Sequence, residues 1–330
     1  AASQSKEISA NPPDLARQVS ANPFTGVVSG STGDDYFSAS SDDGYLCVSD
    51  ATIVDIYGNN KLAVDAIGGW TGGIIQGSKI KFGDGNDTLI ASITKGGGYL
   101  LGITGSDIDL GNGDNNLDLK FSVISGIDNR RAYGLQNTSL RSGLGKDVLL
   151  INIEAGGSPS DGINAGIGNS TVDLGDGNNI ISISVRGSLA QDPSFGLIGT
   201  LRTGKDNDTI NIFSANTGIS DSTVATGGGA DVMDVISGFY GIRNSTLSLG
   251  DGNDKIKIQT SQENSFSVYG GQISLGSGDD LISLGRADTT IDGGIGVDTL
   301  MLALDSSDIS LKQIATEEYL IMSSSDQAIN

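Results

Sequence analysis

Apolar and polar residues alternate with a period of two in short segments that recur along most of the chain. The segment Leu247–Ile258 reads Leu-Ser-Leu-Gly-Asp-Gly-Asn-Asp-Lys-Ile-Lys-Ile, with a glycine-rich stretch between two alternating ones. Strict alternation indicates a half-buried β-strand, and Gly with Asn or Asp indicates a tight turn. The segment therefore predicts a strand, a turn and a second strand.

This strand–turn–strand unit occurs eleven times. We call the last residue of each turn the marker residue. The markers are Asp35, Asn60, Asp87, Asn115, Asp147, Asn179, Asp208, Asp231, Asp254, Asp280 and Asp298. A large apolar residue stands two positions after every marker, an aliphatic residue seven positions before it, and glycine two positions before all but Asp208. A glycine column of this kind indicates a backbone with positive φ.

Successive markers are 18 to 32 residues apart, which is typical of a solenoid with one unit per coil. Because the same segment returns after each circuit, neighbouring coils must pair in parallel, and such connections are right-handed in most proteins. The prediction is an all-β, right-handed parallel β-solenoid of about eleven coils over residues 28–302. A hydroxyl column nine residues before most markers (Ser78, for example) predicts hydrogen bonds along the stack.

Both ends depart from the repeat. Residues 1–27 form a predicted N-terminal arm, a cap or a docking segment, in which Asp14–Ser20 has the composition of a short helix after two prolines. Residues 303–330 alternate again and predict a strand-rich C-terminal cap. Unpaired ends of a solenoid are open sheet edges, which need a cap or a partner.

Composition limits the classes of function. The chain carries 19 basic and 40 acidic residues, a net charge of −21, which disfavours nucleic acid and anionic membranes and favours bound cations. With one cysteine and no histidine, an intrachain disulfide is excluded and zinc or iron sites are disfavoured. No apolar run approaches the ~20 residues of a membrane span.

Stacked coils would place the marker side chains in a column about 5 Å apart. From Asp208 to Asp298 every marker is a carboxylate. Neighbouring charges at that spacing repel by roughly 3–4 kcal/mol at an effective dielectric near 20. Ca²⁺ would relieve this repulsion, because it accepts six to eight carboxylate and carbonyl oxygens in flexible geometry.

The turns resemble the RTX, or haemolysin-type, calcium-binding repeat G-G-x-G-x-D-x-U-x, in which U is a large aliphatic residue. Gly293–Met301 matches the whole motif, and 83–87, 250–254 and 276–280 match from the second glycine onward. The resemblance implies an exported protein whose aspartates and turn carbonyls bind Ca²⁺. By resemblance, the candidate metal ligands are Asp87, Asp147, Asp208, Asp231, Asp254, Asp280 and Asp298. The first motif glycine is usually absent here, three markers are Asn, and most coils exceed 18 residues.

Several alternatives stay open at this point. The marker column could be a metal-free Asn/Asp hydrogen-bond ladder. The expected function is a non-catalytic, calcium-binding scaffold or adhesive segment of a secreted or cell-surface protein. The alternatives are an assembly protein or a polysaccharide lyase or epimerase. The residues considered for the enzyme are Asp128, Arg130, Arg131, Tyr133, Arg186 and Asp192, in or beside insertions at 121–131, 155–165 and 186–194. These insertions are also the expected contact site for a polysaccharide or protein partner.

Overall fold

The computed structural model describes residues 18–21, 23–42, 46–67, 73–96, 98–123, 129–154, 163–187, 193–303, 309–315 and 318–323. All regular secondary structure in these ranges is β-structure, in two long parallel sheets and one short hairpin. The prediction of an all-β parallel solenoid is confirmed.

Sheet A has twelve strands. Eleven of them each follow a turn, and the twelfth, β1, lies at the edge of the sheet before the first turn. They are β1 (Gln18–Ser20), β3 (Tyr36–Ser41), β5 (Lys61–Ile67), β8 (Thr88–Gly96), β11 (Asn116–Val123), β14 (Val148–Glu154), β16 (Ile180–Arg186), β18 (Thr209–Ser214), β21 (Val232–Ser237), β23 (Lys255–Thr260), β25 (Leu281–Leu284) and β27 (Thr299–Leu302), in this spatial order.

Sheet B has fifteen strands, which precede the turns. They are β2 (Phe24–Ser29), β4 (Val48–Tyr57), β6 (Gly73–Gln76), β7 (Lys79–Asp84), β9 (Gly98–Thr104), β10 (Asp107–Asp109), β12 (Asn129–Gln136), β13 (Ser139–Arg141), β15 (Asn164–Asp173), β17 (Ser194–Arg202), β19 (Thr217–Ser220), β20 (Thr223–Gly228), β22 (Tyr240–Asp251), β24 (Phe266–Ser277) and β26 (Ala287–Ile295). The hairpin pairs β28 (Ile309–Ala315) with β29 (Glu318–Ser323) in antiparallel fashion.

The register follows the repeat on both sides of the turns, although several strand pairs carry a β-bulge or irregularity elsewhere. In sheet A, the residues two positions after the markers are direct partners from coil to coil: Phe37, Leu62, Leu89, Leu117, Leu149, Ile181, Ile210, Met233, Ile256, Ile282 and Leu300. In sheet B, the residues seven positions before the markers pair likewise: Val28, Ile53, Ile80, Ile108, Leu140, Val172, Leu201, Val224, Leu247, Ile273 and Ile291. Most members of both columns are fully buried and belong to one continuous core.

The two sheets approach closely at glycines of sheet B that face side chains of sheet A across the core. An ideal Cβ on Gly196 would lie 2.2 Å from Ile212 Cγ2 and 2.6 Å from the Gly218 carbonyl oxygen. The absent side chain lets an isoleucine of sheet A pack directly on the backbone of sheet B. The same contact recurs at Gly166 and Gly241.

The predicted hydroxyl column also forms hydrogen bonds along the stack. Ser222 Oγ accepts the N–H of Gly199 in the preceding coil and donates to the Ser220 carbonyl, and the Ser222 N–H donates to Ser245 Oγ. These hydroxyls therefore connect coils, as predicted.

The N-terminal arm differs from the prediction in one respect. Residues 14–17 lie outside the described residues, but Gln18–Ser20 forms β1, a parallel strand on the edge of β3, rather than the end of a helix. Pairing gives the backbone groups of β3 hydrogen-bond partners at an edge that would otherwise be open. This backbone demand outweighs the weak helical preference of so short a segment.

Candidate functional site

Glycine lets the turns of successive coils stack in contact. Gly252, two residues before the marker Asp254, has a φ of +136°, and an ideal Cβ there would lie 1.8 Å from the Gly229 carbonyl oxygen in the preceding turn. A residue with a side chain could neither adopt this φ without strain nor fit against that backbone. The turns are therefore held at backbone contact distance.

All eleven marker side chains form one hydrogen-bonded column, which we call the marker ladder. In each link, the side-chain Oδ1 of one marker accepts the backbone N–H of the marker in the preceding coil. The ten links run from the Asp35 N–H to Asp298 Oδ1, with N···O distances of 2.6–3.2 Å. The seven predicted metal ligands are thus brought together in a single file.

The three asparagine markers use their second side-chain atom as a donor. Asn179 Nδ2 donates to the carbonyl oxygens of Gly175, Gly177 and Thr203 at 3.1, 3.0 and 2.9 Å. Asn115 Nδ2 likewise donates to the carbonyl oxygens of its own turn glycines. The turn therefore directs several carbonyl dipoles at this one position beside each marker.

The aspartate markers place an oxygen at the position where asparagine has its NH₂ group. The second carboxylate oxygen, Oδ2, is buried and has no hydrogen-bond partner in six of them: Asp87, Asp147, Asp208, Asp231, Asp254 and Asp280. These six residues are at most 2% exposed. An ionised oxygen facing carbonyl oxygens out of contact with water is strongly disfavoured. Each position therefore favours a proton or a cation, although the hydroxyls of Ser142, Thr203 and Thr226 lie close enough to Asp147, Asp208 and Asp231 to lower the pKa values of these carboxyls.

The same environment makes these carboxyls hard to ionise. Burial raises the pKa of Asp87, Asp147 and Asp254 to about 6. Burial also raises the pKa of Asp208 to about 7, and that of Asp231 and Asp280 above its ordinary value. The backbone N–H groups of the ladder and neighbouring hydroxyls, such as that of Thr203, lower these pKa values and partly offset burial. Desolvation nevertheless dominates at all six positions.

The two ends of the ladder differ from its middle. At the first coil, the Asp35 carboxylate accepts hydrogen bonds from both the N–H and the hydroxyl of Ser31. At the last coil, Asp298 is exposed, although its Oδ1 still accepts the Asp280 N–H at 3.1 Å. Among the described residues, no Lys or Arg forms an ion pair with the six buried carboxylates, and no group of three or more acidic, His or Cys side chains is arranged to hold a metal. A cation here would rely on backbone carbonyls.

Sequence reasoning missed a second ladder on the exposed side of the turns. It consists of the residues one position before the markers, and it runs in the opposite direction, because each side-chain Oδ1 accepts an N–H from the following coil. The acceptors are Asp34, Asn59, Asn86, Asp114, Asn178, Asn207, Asn253 and Asp279, at 2.6–3.0 Å. The frequency of Asn and Asp at this position was the available signal.

The residues considered for an enzyme are only partly described. Asp128, Asp192 and the side chain of Arg130 lie outside the described residues, as do most of the three insertions. Tyr133 packs beside Phe195 in a small separate apolar cluster, Arg131 is exposed, and the Arg186 guanidinium lies 5.4 Å from the centre of the Phe213 ring. Arg131 and Tyr133 lie on β12 and Arg186 lies on β16, and these three described residues include no carboxylate.

Comparison with known proteins does not assign the chain to a family. No protein-family description, no curated protein sequence and no solved structure matches it. In the part of the chain that the structure describes, no helix has the length and apolar character needed to cross a membrane.

Proposed function

We propose that this chain is a calcium-binding β-solenoid of a secreted or cell-surface protein, which acts as a rigid, non-catalytic scaffold or adhesive segment similar to RTX repeat proteins. The observation that carries the proposal is the set of six buried Oδ2 atoms without a hydrogen-bond partner. They occupy the position where asparagine markers donate to turn carbonyls at about 3 Å. A cation at that position would bind carboxylate and carbonyl oxygens together.

The chemistry of these oxygens favours Ca²⁺ over other common ions. All donors are hard oxygens, most of them main-chain carbonyls, and the chain has no histidine. Ca²⁺ tolerates many ligands in irregular geometry, whereas Mg²⁺ requires a near-ideal octahedron and retains several waters. The pattern of markers also predicts where the ions bind. The four consecutive buried aspartates Asp208, Asp231, Asp254 and Asp280 form a continuous block, while each asparagine interrupts the series.

The expected affinity supports an extracellular location. Each position offers one carboxylate, and low ligand charge is associated with dissociation constants of roughly 10⁻⁴–10⁻³ M in extracellular calcium modules. Such sites are occupied only where calcium is abundant. The net charge of −21 also favours a calcium-rich environment, because repulsion between the acidic residues destabilises the folded state until cations bind.

Asp254→Asn provides the direct test, because it converts this marker into the equivalent of Asn179. The variant retains the ladder acceptor Oδ1, while its new NH₂ group replaces the cation by donating to the turn carbonyls. We expect calorimetric titration with CaCl₂ to show at least one Ca²⁺ fewer per chain. Thermal melting in chelator should show a more stable protein, by about 1–3 kcal/mol, because an unpaired buried charge is removed.

Asp288→Asn is the matched control. It makes the same chemical change at an exposed position on β26, outside the turns. It should leave both the calcium count and the chelator-dependent melting temperature unchanged. If the wild-type protein binds no Ca²⁺ at millimolar concentration and melts identically with and without chelator, the marker ladder is metal-free and the proposal is wrong.

End-to-end assembly is a second candidate function, favoured by the C-terminal end of the solenoid. In the described residues, β26 pairs only with β24 and β27 only with β25, so one edge of each strand is open. Ile295 and Val297 beside these edges are 77% and 76% exposed. An open strand edge flanked by apolar residues is a template for another coil.

Sedimentation of the protein in calcium across a concentration series should show reversible association, and Val297→Lys should abolish that association. A monomer at every concentration would refute end-to-end assembly.

A further inference from the structure

Among the described residues, one buried carboxylate lies outside the marker ladder, at the first position of the repeat motif. It belongs to the column five residues before the markers, where the side chains point into the core. Five of the eleven members of this column are buried aliphatic or aromatic residues, and the others besides Asp55 are glycine, serine or threonine. The apolar members are Phe82, Leu110, Leu174, Leu249 and Leu275. In the second coil the residue is Asp55, which is 2% exposed. A carboxylate thus occupies a position at which four other coils have a buried leucine.

No Lys or Arg side chain in the described residues forms an ion pair with Asp55. Neither carboxylate oxygen has a hydrogen-bond partner, although the Tyr57 N–H is close enough to lower the pKa. The carboxylate lies against Gly30 of the preceding coil, where an ideal Cβ would be 2.0 Å from Asp55 Oδ2. The space that the absent Gly30 side chain leaves is therefore filled by this charged group.

A second buried carboxylate lies beside Asp55. Asp35, also 2% exposed, lies within hydrogen-bonding reach of Asp55, and a hydrogen bond between the two would require a proton on one of them. Burial and this neighbour together raise the pKa of Asp55 to about 8. Asp35 itself is held in place by Ser31, whose N–H and hydroxyl both donate to it. One of the two carboxylates is therefore positioned in advance.

We propose that Asp35 and Asp55 together bind one Ca²⁺ at the N-terminal end of the solenoid, in a site separate from the turn sites of the marker ladder. Two converging carboxylates give this site twice the ligand charge of a turn site. Because affinity for Ca²⁺ rises with ligand charge, the ion here binds more tightly than any in the ladder. The site does not depend on cation binding at the turn sites, since Asp55 is not a marker and Asp35 is not one of the six markers with a buried, unpartnered Oδ2.

The calcium sites should therefore fill in a fixed order as the calcium concentration rises. The Asp35–Asp55 site is occupied at calcium concentrations that leave the turn sites empty, and it fixes the first two coils to each other. The remaining coils can then fill against an already ordered end. In a stack whose coils contact only their neighbours, a stabilised end favours ordering of the next coil.

Asp55→Leu is the decisive variant, because four other coils already have leucine at this position. It should fold, should lose one Ca²⁺ per chain in calorimetric titration with CaCl₂, and should lose the tightest binding phase in particular. Asp55→Asn, which keeps the shape of the side chain and removes one charge, should weaken the same phase by tenfold or more. Asp254→Asn should remove a weaker site and leave the tight phase intact.

The outcomes separate this site from the proposed ladder sites. If only the ladder binds, Asp55→Leu has the wild-type calcium count and affinities, which overturns the inference. If only the Asp35–Asp55 site binds, the wild type takes up a single Ca²⁺, Asp55→Leu takes up none, and Asp254→Asn is unaffected. If the pair shares a proton instead, the wild type shows no tight phase, and Asp55→Leu only removes a proton taken up near neutral pH.

Discussion

At the scale of single residues, one side-chain atom of the marker determines whether a turn needs a proton or a cation. Asparagine and aspartate make the same ladder link through Oδ1, as Asn179 and Asp208 do with their preceding coils. They differ only in the second atom, which is a donor in Asn179 and an unpartnered oxygen in Asp208. The asparagine turns are complete within the protein, whereas the aspartate turns need a proton or a cation.

This difference predicts an unusual dependence of stability on pH. The folded-state pKa values of Asp87, Asp147 and Asp254, about 6, and of Asp208, about 7, lie above the unfolded value near 4. The folded state therefore binds more protons between about pH 4 and pH 7. In chelator, the stability that these groups contribute is fully present below pH 4 and is lost as the pH rises through 6 to 7, by roughly 1–3 kcal/mol per carboxyl.

Urea unfolding in chelator at pH 5 and pH 8 would measure this effect. The free energy of unfolding should be larger at pH 5. In saturating calcium the difference should shrink or change sign, because protons and Ca²⁺ compete for the same oxygens. Greater stability at pH 8 than at pH 5 in chelator would mean that these carboxyls are ionised and satisfied without metal.

At the scale of the strand–turn–strand unit, the alternation and the glycine columns were sufficient to predict the strands, their register and the column of stacked markers, with a hydrogen-bond ladder as one alternative. They succeed because every coil repeats the same constraints: an inward apolar pair and a tight turn, which has glycine two positions before the marker in every coil except that of Asp208. The sequence could not reveal the direction of each ladder or the unpartnered Oδ2 atoms, since these depend on distances between coils. The Asp35–Asp55 contact was also hidden, because the two residues occupy different positions of the repeat.

Substitution of a turn glycine by alanine should lower the free energy of unfolding substantially, although it adds only one methyl group. In Gly252→Ala, the new methyl group would meet the backbone of the preceding turn, and the φ of +136° would be strained. We expect a loss of about 2–4 kcal/mol in urea unfolding, together with weaker Ca²⁺ binding.

Gly228→Ala is the control for this substitution. Gly228 lies in the preceding coil and has an ordinary φ, and an ideal Cβ there would lie 3.8 Å from its nearest neighbour, the Asp251 carbonyl oxygen. Gly228→Ala should change the free energy of unfolding by less than about 1 kcal/mol. Equal effects of the two substitutions would show that stacking at the Gly252 turn is looser than the structure indicates.

At the scale of the whole molecule, each coil in the described part of the chain pairs only with the coil before and the coil after it in both sheets. The core is correspondingly a column rather than a sphere, and it continues from coil to coil through the aligned apolar residues. Stability in such a stack is approximately a sum of coil terms and neighbour terms. A local defect should therefore remain local.

Ile183→Ala tests this locality. Ile183 is 1% exposed, and its Cγ2 atom packs directly on the backbone of Gly166 across the core. Its truncation should cost about 2–5 kcal/mol by leaving a cavity. Amide hydrogen exchange should accelerate in β14, β16 and β18, which contain or pair with this strand, and should remain at wild-type rates in β23 and β25. Ile236→Ala, at a position that is 38% exposed on the outer face of β21, should change neither. If instead exchange accelerates uniformly along the whole chain, the coils unfold as one cooperative unit, and cations bound at one end would stabilise every coil equally.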